Sequence, residues 1–391
     1  KLTGYTAAAA ILAAVVTSCT PSAKYLREKN SPGTYEQNFV RVLVAVEKKP
    51  FTISSESGLR ARLKSGSKLL YEMKSGKLMF YPERINEIFT VESEGSPLCV
   101  NGAPYRGTFE LHNILGKIHI VNVVNIEEYL YSVVPSEMPA SWNIEALKAQ
   151  AVASRSYIYY YLIKNRSNNI YDVDATTSFQ VYKGVSSENK ESTLAVDATR
   201  SVIMTWNYEP VLAYFHSTSG GRTSDDKYVW KGDDLPYLEA VDCSFGKDSP
   251  HYKWEMKLSF TEISSGLGKR YSGVGKITGI SFKKHDGRVY EVVIRHSNGT
   301  INMSGNEFRL MISPSKMKST FFSSVKRGSV FYISGRGWGH GVGMCQWGAR
   351  GRAESGQKYR EILTAYYKGV KFARITNNYL AQRRVRGNRV N

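Results

Sequence analysis

The spacing of apolar and polar residues predicts strands in the first part of the chain. From Phe39 to Asn125, short runs rich in β-branched and aromatic residues alternate with the turn sequences "SESG", "KSGS", "EGSP" and "NGAP". Runs of this length, separated by Gly, Ser, Asn and Pro, are typical of antiparallel strands joined by tight turns. We therefore predict a β-rich lobe over residues 39–110, followed by a second region over residues 111–372.

The apolar period lengthens from two residues to about 3.6 at Ile144, which predicts a long helix. Asn143 is placed to cap this helix, and Glu145 lies in the first turn, where the helix dipole favours an anion. The apolar face of the predicted helix consists of Leu147, Ala151, Ile158 and Leu162.

The rest of the second region combines helices with strands. Further helices are predicted over 188–199 and 359–368, and strands over 201–206, 209–217 and within 252–303. No glycine-rich turn from a strand to a helix indicates a nucleotide-binding fold. We predict an α+β fold with a mixed or antiparallel sheet, an N-terminal or inserted β-rich lobe, and an active-site cleft between lobes.

The N-terminal segment over residues 1–19, "KLTGYTAAAAILAAVVTSC", has the pattern of an export signal. Its apolar run is too short to span a membrane, and the sequence from Val16 to Cys19 resembles a lipobox, in which the cysteine is acylated. The alternative is a plain export signal with Cys19 incidental. Polar residues 20–38 then form a flexible tether. We expect an exported bacterial envelope protein, periplasmic or at the cell surface, that a lipid on Cys19 anchors to the membrane.

The chain is strongly basic: 53 Lys and Arg against 34 Asp and Glu give a formal charge of +19. The excess is spread along the chain and is densest in the tail over residues 373–391, so polyanionic partners are expected. Charge alone favours nucleic acid, but an exported protein meets envelope polyanions instead, and no nucleic-acid motif is evident. Cys99, Cys243 and Cys345 are far apart, and their spacing assigns neither a disulfide nor a zinc knuckle.

One carboxylate stands out in "VVPSEMPASWNIEALKAQAVASRSY". Two prolines flank Glu137, which predicts that it lies in a stiff turn just before the helix. Gln150, Ser154 and Tyr157 share one face of that helix and would extend a polar surface away from the carboxylate. Spacing alone favours a turn or capping role for Glu137 unless other polar clusters converge on it.

Two such clusters follow. "YFHSTSGGRTS" brings His216 and Ser217 to the end of a predicted strand, and "SGRGWGHGVGMCQWGARG" places His340 and Gln346 among seven glycines. Glycine at this density indicates close backbone approach or unusual dihedral angles. Neither histidine has a partner at zinc-ligand spacing, no GxSxG elbow supports a serine hydrolase, and the Lys-Ser/Thr ending of a P-loop is missing. Tryptophans in such a loop suit stacking on a sugar or plain packing.

Five segments in this order resemble the SpoIID/LytB family. They are "VNIEEYLYSVVPSEMPASWNIEALKAQAVASRSY", "DATTSFQVYKG", "FHSTSGGRT", "SGNEFRL" and "GRGWGHGVGMCQWGARGRAESGQKYREILTAYYKG". The resemblance implies a lytic transglycosylase that cleaves the peptidoglycan of bacterial cell walls and acts on glycan strands stripped of their stem peptides. Other members are described as amidase enhancers, so a non-catalytic module that binds glycan or stimulates an amidase is the alternative.

The resemblance also implies roles for individual residues. Glu137 falls on the family's catalytic acid/base, and the implied wall or substrate residues are Ser136, Gln150, Arg155, Tyr157, Gln180, Tyr182, His216, Ser217, His340 and Gln346. Some relatives hold zinc through cysteines and a histidine near "FHSTSGG", but here Ser219 and Arg222 occupy that region. We therefore expect no metal and no cofactor.

This chemistry explains why one carboxylate is sufficient. An ordinary glycosidase needs two carboxylates, whereas in a lytic transglycosylase the C6 hydroxyl of N-acetylmuramic acid attacks its own C1 and no water is needed. The acid needs a raised pKa, which burial against Met138 or Trp142 would provide. Denuded strands carry lactyl carboxylates and would attract a basic protein. The expected partners are these strands and an amidase acting upstream, and not nucleic acid.

Overall fold

The computed structural model describes residues 38–65, 69–74, 76–164, 170–230, 232 and 234–375. The predicted export signal with Cys19, the tether and most of the basic tail lie outside the described residues. Within the described part of the chain, no helix combines the length and apolar character needed to cross a membrane.

Up to Asn125 the chain forms strands. These are β1 (Phe39–Glu47), β2 (Phe51–Ser55), β3 (Leu59–Leu63), β4 (Leu69–Met73), β5 (Gly76–Phe80), β6 (Phe89–Ser93), β7 (Leu98–Val100), β8 (Ala103–Tyr105), β9 (Thr108–Ile114) and β10 (Lys117–Asn125).

After Asn125 helices and strands alternate. In order they are α1 (Ile126–Glu137), α2 (Ile144–Lys164), β11 (Val173–Asp174), α3 (Lys190–Ala198), β12 (Val202–Trp206), β13 (Glu209–Pro210), β14 (Phe215–His216), β15 (Lys253–Ser259), α4 (Phe260–Gly268), β16 (Ile277–His285), β17 (Arg288–His296), β18 (Gly299–Ser304), α5 (Gly305–Ile312), β19 (Phe322–Arg327), β20 (Val330–Arg336), β21 (Met344–Cys345), α6 (Gln346–Glu354), α7 (Tyr359–Tyr366) and β22 (Lys371–Arg374).

The largest sheet joins the β-rich lobe to the second region. Its seven strands have the order β11-β1-β10-β9-β6-β3-β4, with β1 antiparallel to β10 and parallel to β11. The α+β class with a mixed sheet is therefore confirmed. The lobe boundary expected after residue 110 falls inside β9, which pairs with β6 on one side and β10 on the other. Hydrogen bonding is thus continuous across that boundary.

Three apolar cores organise the described residues. One fills the β-rich lobe and includes Phe51 and Phe109. A second lies among the helices and includes Leu147 and Tyr366. A third core, around Phe308, belongs to residues 253–336, which form α4, α5 and two three-stranded sheets, β15-β20-β19 and β16-β17-β18. We call residues 253–336 the inserted lobe. The strand pattern predicted strands within 252–303 but not β19, β20, the helices or the separate core of this lobe.

The turn expected around Glu137 is wrong, because α1 continues through Pro135 and ends at Glu137. The buried residues Ile126, Tyr129, Leu130, Val133 and Val134 have helical spacing. The Asn125 side chain caps the start by accepting a hydrogen bond from the Glu127 N–H at 2.9 Å. Proline in the last turn removes one backbone donor, and burial of the apolar face outweighs that loss.

The other predicted elements are largely confirmed. Helix α2 begins at Ile144, and Asn143 Oδ1 accepts a hydrogen bond from the Glu145 N–H at 2.9 Å, as expected for a cap. Helices α3 and α7 and strand β12 lie within the predicted ranges. The strand predicted over 209–217 is instead two short strands, β13 and β14, because the chain bends where the Tyr214 N–H donates to the Leu212 carbonyl at 2.9 Å.

Helix α6 starts in a tightly packed cluster that contains two thiols. Cys243 and Cys345, far apart in sequence, are both fully buried, and the Gly348 N–H donates to Cys345 Sγ at 3.3 Å. A Cβ on Gly348 would overlap the Tyr366 hydroxyl and lie 2.5 Å from Cys243 Sγ. Helix α6 therefore requires glycine at this position.

We expect Gly348→Ala to lower the free energy of unfolding by about 1–3 kcal/mol, the usual cost of overpacking a core. Gly268→Ala is the control, because Gly268 ends α4 with open space around its Cα. That substitution should be neutral or slightly stabilising, since alanine restricts the unfolded chain. Denaturant unfolding of both variants checks this, and equal stability of Gly348→Ala and the parent would contradict the packing argument.

Candidate active site

Three distant segments meet at Glu137, whose side chain is half-buried at the end of α1. Its Oε1 accepts a hydrogen bond from the Val181 N–H at 2.8 Å, across 44 residues of sequence. Its backbone carbonyl accepts one from Gln346 Nε2 at 3.0 Å, across 209 residues. Of the two polar clusters noted in the sequence, the one that contains Gln346 therefore reaches the end of α1, where it contacts the main chain of Glu137.

Burial raises the pKa of Glu137 above its ordinary value of 4.5. The Val181 N–H and the charge of Lys183 act in the opposite direction and offset only part of this effect. Met138, the next residue, is 1% exposed and packs in the helical core, as expected for a desolvated carboxyl. No carboxylate within the described ranges contributes to this pKa. Glu137 thus keeps its proton to higher pH than an exposed glutamate.

Two of the predicted residues, Gln150 and Gln346, hold the end of α1 in place. Gln346 Nε2 uses its second hydrogen to donate to Gln150 Oε1 at 3.2 Å, and Gln150 Nε2 donates to Ser154 Oγ at 3.0 Å. These side chains are buried, so the network links α6 to α2 and to the last carbonyl of α1. They act on the main chain of Glu137 and not on its carboxylate.

Two polar groups beside Glu137 are buried without a hydrogen-bond partner among the described residues. They are Ser136 Oγ and Gln180 Nε2, although Gln180 Oε1 accepts a hydrogen bond from the Tyr129 hydroxyl at 3.2 Å. Leaving a buried polar group unpaired costs about 1–3 kcal/mol, so such groups in a site suit a ligand's oxygen atoms. Gln180 is fully buried and Ser136 partly buried, so contact of these residues with substrate stays a prediction.

The structure corrects the expected substrate role of Arg155. Its side chain is fully buried and donates to Glu127 Oε1 at 3.0 Å and Glu127 Oε2 at 2.6 Å. Another of its nitrogens, Nη1, donates to the Val202 carbonyl at 3.1 Å. Arg155 therefore ties α2 to α1 and β12, and its fully buried guanidinium is not accessible to a substrate.

Tyr157 and Tyr182 are also core residues, contrary to expectation. Both are 4% exposed, and the Tyr182 hydroxyl donates to Asn122 Oδ1 at 2.7 Å on β10. The Tyr157 ring packs against Tyr161 and Tyr214, with ring centres 4.8 and 6.0 Å away. The sequence placed Tyr157 on the polar side of a helix, and the resemblance alone implied Tyr182; neighbouring elements cover both rings.

His216 and His340 lie on neighbouring segments, because β14 and β21 pair in parallel. His216 Nδ1 donates to the Val342 carbonyl at 3.0 Å, and its buried Nε2 has no described partner. His340 Nε2 donates to the Phe215 carbonyl at 2.9 Å, and its Nδ1 accepts from the Val342 N–H at 3.1 Å. Burial lowers the pKa of His216 well below its ordinary value and that of His340 to about 3, so both rings are neutral.

Among the described residues, the two histidines form neither a metal-binding cluster nor a pair with a serine nucleophile. No group of three or more potential metal-binding side chains occurs in the ranges that the structure covers. Ser217 Oγ lies 3.3 Å from Thr218 Oγ1, and no hydrogen bond joins it to His216 within those ranges. Ser217 is partly exposed, whereas the two rings brace the paired strands.

A family model described as "Stage II sporulation protein" matches residues 115–206, which include Glu137. Stage II sporulation protein D of Bacillus subtilis is 34% identical over 283 residues, which cover 67% of this chain and 79% of that protein. The chain belongs to the SpoIID family. An uncharacterised protein of Brachyspira hyodysenteriae is 33% identical over 347 residues, or 85% of this SpoIID-family chain and 92% of the relative.

Two further comparisons match other portions of the SpoIID-family chain. The amidase enhancer of Bacillus subtilis is 33% identical over 292 residues, which cover 61% of this chain but only 39% of that protein. A domain of unknown function (DUF8618) matches residues 242–343, a range that contains the inserted lobe. The match agrees with a lobe that has its own core.

An aromatic pair was missing from the predicted site residues: Trp142, which follows Glu137 closely in sequence, and Trp347. The rings of Trp142 and Trp347 pack edge to face with centres 5.0 Å apart, and the Arg350 guanidinium lies 5.5 and 4.9 Å from those centres. Both tryptophans are only partly buried, and Trp347 directly follows Gln346. The face of a partly exposed indole ring suits the apolar face of a sugar. Position next to a site residue was the signal available in the sequence.

The cleft expected between lobes stays a prediction. A surface cavity of about 410 Å³ is lined by none of the predicted site residues. Its walls include the ion pairs Arg222–Asp286, Lys227–Asp234 and Lys368–Glu239, with side chains that are largely exposed. The charged groups of this cavity pair with one another, and its lining does not include Glu137, so we do not assign the active site to it.

We expect Arg155→Ala to lower the free energy of unfolding by about 3–5 kcal/mol, because it leaves Glu127 buried without its partner. Arg200→Ala, at the exposed pair Arg200–Asp197, is the control and should cost no more than about 1 kcal/mol. Denaturant unfolding measures both. Unchanged stability of Arg155→Ala together with lost glycan binding would instead restore the substrate role.

Proposed function

We propose that this protein is a lytic transglycosylase of peptidoglycan that cleaves the bond from N-acetylmuramic acid to N-acetylglucosamine in glycan strands lacking stem peptides. Membership of the SpoIID family and the amidase-enhancer relative support the broader statement of a cell-wall-related role. The environment of Glu137 supports the specific reaction: its carboxyl is desolvated, fixed by the Val181 N–H, and without a carboxylate partner among the described residues.

One carboxyl group performs both proton transfers of this reaction. Protonated Glu137 donates to the glycosidic oxygen as the C1–O bond breaks and leaves a carboxylate. The C6 hydroxyl then attacks C1, and the carboxylate takes its proton, which closes the 1,6-anhydro ring and regenerates the acid. Water is not consumed: the departing N-acetylglucosamine keeps the first proton on its oxygen, the new C6–O–C1 bond replaces the broken C1–O bond, and the C6 proton restores the acid. A raised pKa favours the protonated starting form near neutral pH.

Residues around Glu137 divide into those that hold it and those that touch the strand. Gln150 and Gln346 are positioning residues, because their amides fix the end of α1. Ser136 and Gln180 offer unpaired polar groups to sugar oxygens, and the partly exposed Ser217 is a further substrate contact. The Trp142–Trp347 pair would pack on a sugar face. His216 and His340 support the strands beneath.

Location and partner enzymes also belong to the proposal. The export signal and acylation of Cys19 concern residues outside the described ranges and stay predictions. An amidase that removes stem peptides would prepare the substrate. The alternative function is a non-catalytic module that binds glycan or stimulates an amidase. The amidase-enhancer relative, whose match covers 61% of this chain, supports this alternative.

We expect the wild-type protein to release products with 1,6-anhydro ends from denuded glycan, and Glu137→Gln to release none, because an amide cannot donate the proton. Mass spectrometry of the digests measures both. Glu128→Gln is the matched control: it makes the same change in the same helix at a half-exposed residue and should retain activity. Reducing ends in the products, or strand binding without any cleavage, would favour a hydrolase or the non-catalytic alternative.

The pH dependence should follow the raised pKa of Glu137. We expect kcat/KM to fall as pH rises through that pKa, since the free enzyme then loses its acid. The same desolvation destabilises the folded state above the raised pKa, and the cost vanishes below the ordinary value of 4.5. Glu137→Gln should therefore have a higher Tm than wild type only at the higher pH values. A Tm difference independent of pH would contradict the assigned burial effect.

A further inference from the structure

The inserted lobe carries a large share of the positive charge of the chain. Residues 253–336 contain 15 Lys and Arg against 5 Asp and Glu, which is +10 of the total +19. None of the proposed catalytic or positioning residues lies in this lobe. Its charge therefore calls for a separate explanation.

Part of that charge lies on one side of the β15-β20-β19 sheet. In the strand register Lys257 is opposite Tyr332, and four residues further along Lys253 is opposite Arg336. Arg327 of β19 reaches the same side, with its guanidinium 5.4 Å from the centre of the Tyr332 ring. We call Lys253, Lys257, Arg327, Tyr332 and Arg336 the cationic face; one carboxylate, Glu255, lies on the same side between the two rows, opposite Ser334. The reverse side of the face packs in the core of the lobe through Trp254, Phe331 and Ile333.

The charges of this face are available and partly fixed. Its four cations form no ion pair with any carboxylate in the described part of the chain. Tyr332 is 40% exposed and holds Lys257 Nζ 5.3 Å from its ring centre, in addition to Arg327. Cations held against a ring lose less conformational freedom when they bind an anion.

The position and spacing of the face suit a long, sparsely charged polymer. Four residues separate its two rows, which is about 13 Å along the strands. Arg336 leads directly into the glycine-rich segment that ends at Gln346, and a Cβ on Gly220 would lie 2.7 Å from Arg336 Cβ. Duplex DNA carries about one charge per 1.7 Å, far denser than these rows. A denuded strand has only one carboxylate per disaccharide.

We propose that the cationic face of the inserted lobe is a second glycan-binding surface, which holds denuded strands through their lactyl carboxylates outside the catalytic site. The proposal rests on the proposed function, because it takes the substrate class from there. It assigns a role to the part of the chain that matches a domain of unknown function.

The test compares two double charge reversals, each made in the Glu137→Gln background so that strands are not cleaved. One is Lys257→Glu with Arg327→Glu on the face; the other is Lys269→Glu with Arg270→Glu, exposed residues just after α4 on the same lobe. Both remove the same net charge. Binding of fluorescently labelled denuded strands of at least ten disaccharides is measured by anisotropy.

We expect the face variant to bind long strands at least tenfold more weakly and the matched control less than threefold. A denuded tetrasaccharide carries only two lactyl carboxylates, so the two variants should differ less in binding it than in binding long strands. Circular dichroism and Tm confirm that both variants fold.

Equal weakening by the two reversals would overturn the proposal, because net charge would then explain the effect. It would also be overturned if the face variant lost binding to duplex DNA or to vesicles of anionic lipid as strongly as to glycan. Failure of the catalytic proposal would be seen separately, as 1,6-anhydro products still released by Glu137→Gln, and would leave the binding comparison valid.

Discussion

The candidate site depends on one side-chain amide, that of Gln346. The last carbonyls of a helix have no partner within the helix, and at the end of α1 Gln346 Nε2 supplies one to Glu137 while also donating to Gln150. This one amide connects the start of α6 with the interior of α2 and with Glu137, the residue that carries the carboxylate. With the backbone of Glu137 fixed, its Oε1 can meet the Val181 N–H at 2.8 Å.

The glycine-rich segment that ends at Gln346 allows the close backbone approach on which the contact between Gln346 and Glu137 depends. Gly343 has φ +68°, and a Cβ there would overlap the Tyr214 carbonyl; at Gly339 a Cβ would lie 2.8 Å from His216 Cβ. The two segments therefore approach at backbone distance, which lets β14 and β21 pair and brings Gln346 to α1. His216 and His340, both neutral, link β14 and β21 through hydrogen bonds to backbone carbonyls. The glycine-rich segment therefore contributes shape to the site and adds no charge through His340.

Charge is distributed to suit a proposed acid and an anionic substrate at the same time. Cations close to Glu137 would lower its pKa, and here only Lys183 acts in that direction, so burial prevails. The cations of the inserted lobe belong to a separate core and do not contribute to that pKa. A strongly basic protein can thus keep the pKa of one carboxyl raised, because most of its cations lie away from that carboxyl.

The sequence by itself determined what depends on local spacing: helices α2, α3 and α7, the Asn143 cap, the α+β class, and the prominence of Glu137. The two prolines around Glu137 led to the wrong prediction of a turn there, although the apolar residues of α1 have helical spacing. Only tertiary structure decided that Arg155 and Tyr182 are internal, that Cys243 meets Cys345, and that Trp142 packs on Trp347. Periodicity records which side of an element is apolar, whereas the partner of a polar group is fixed by elements far away in the chain.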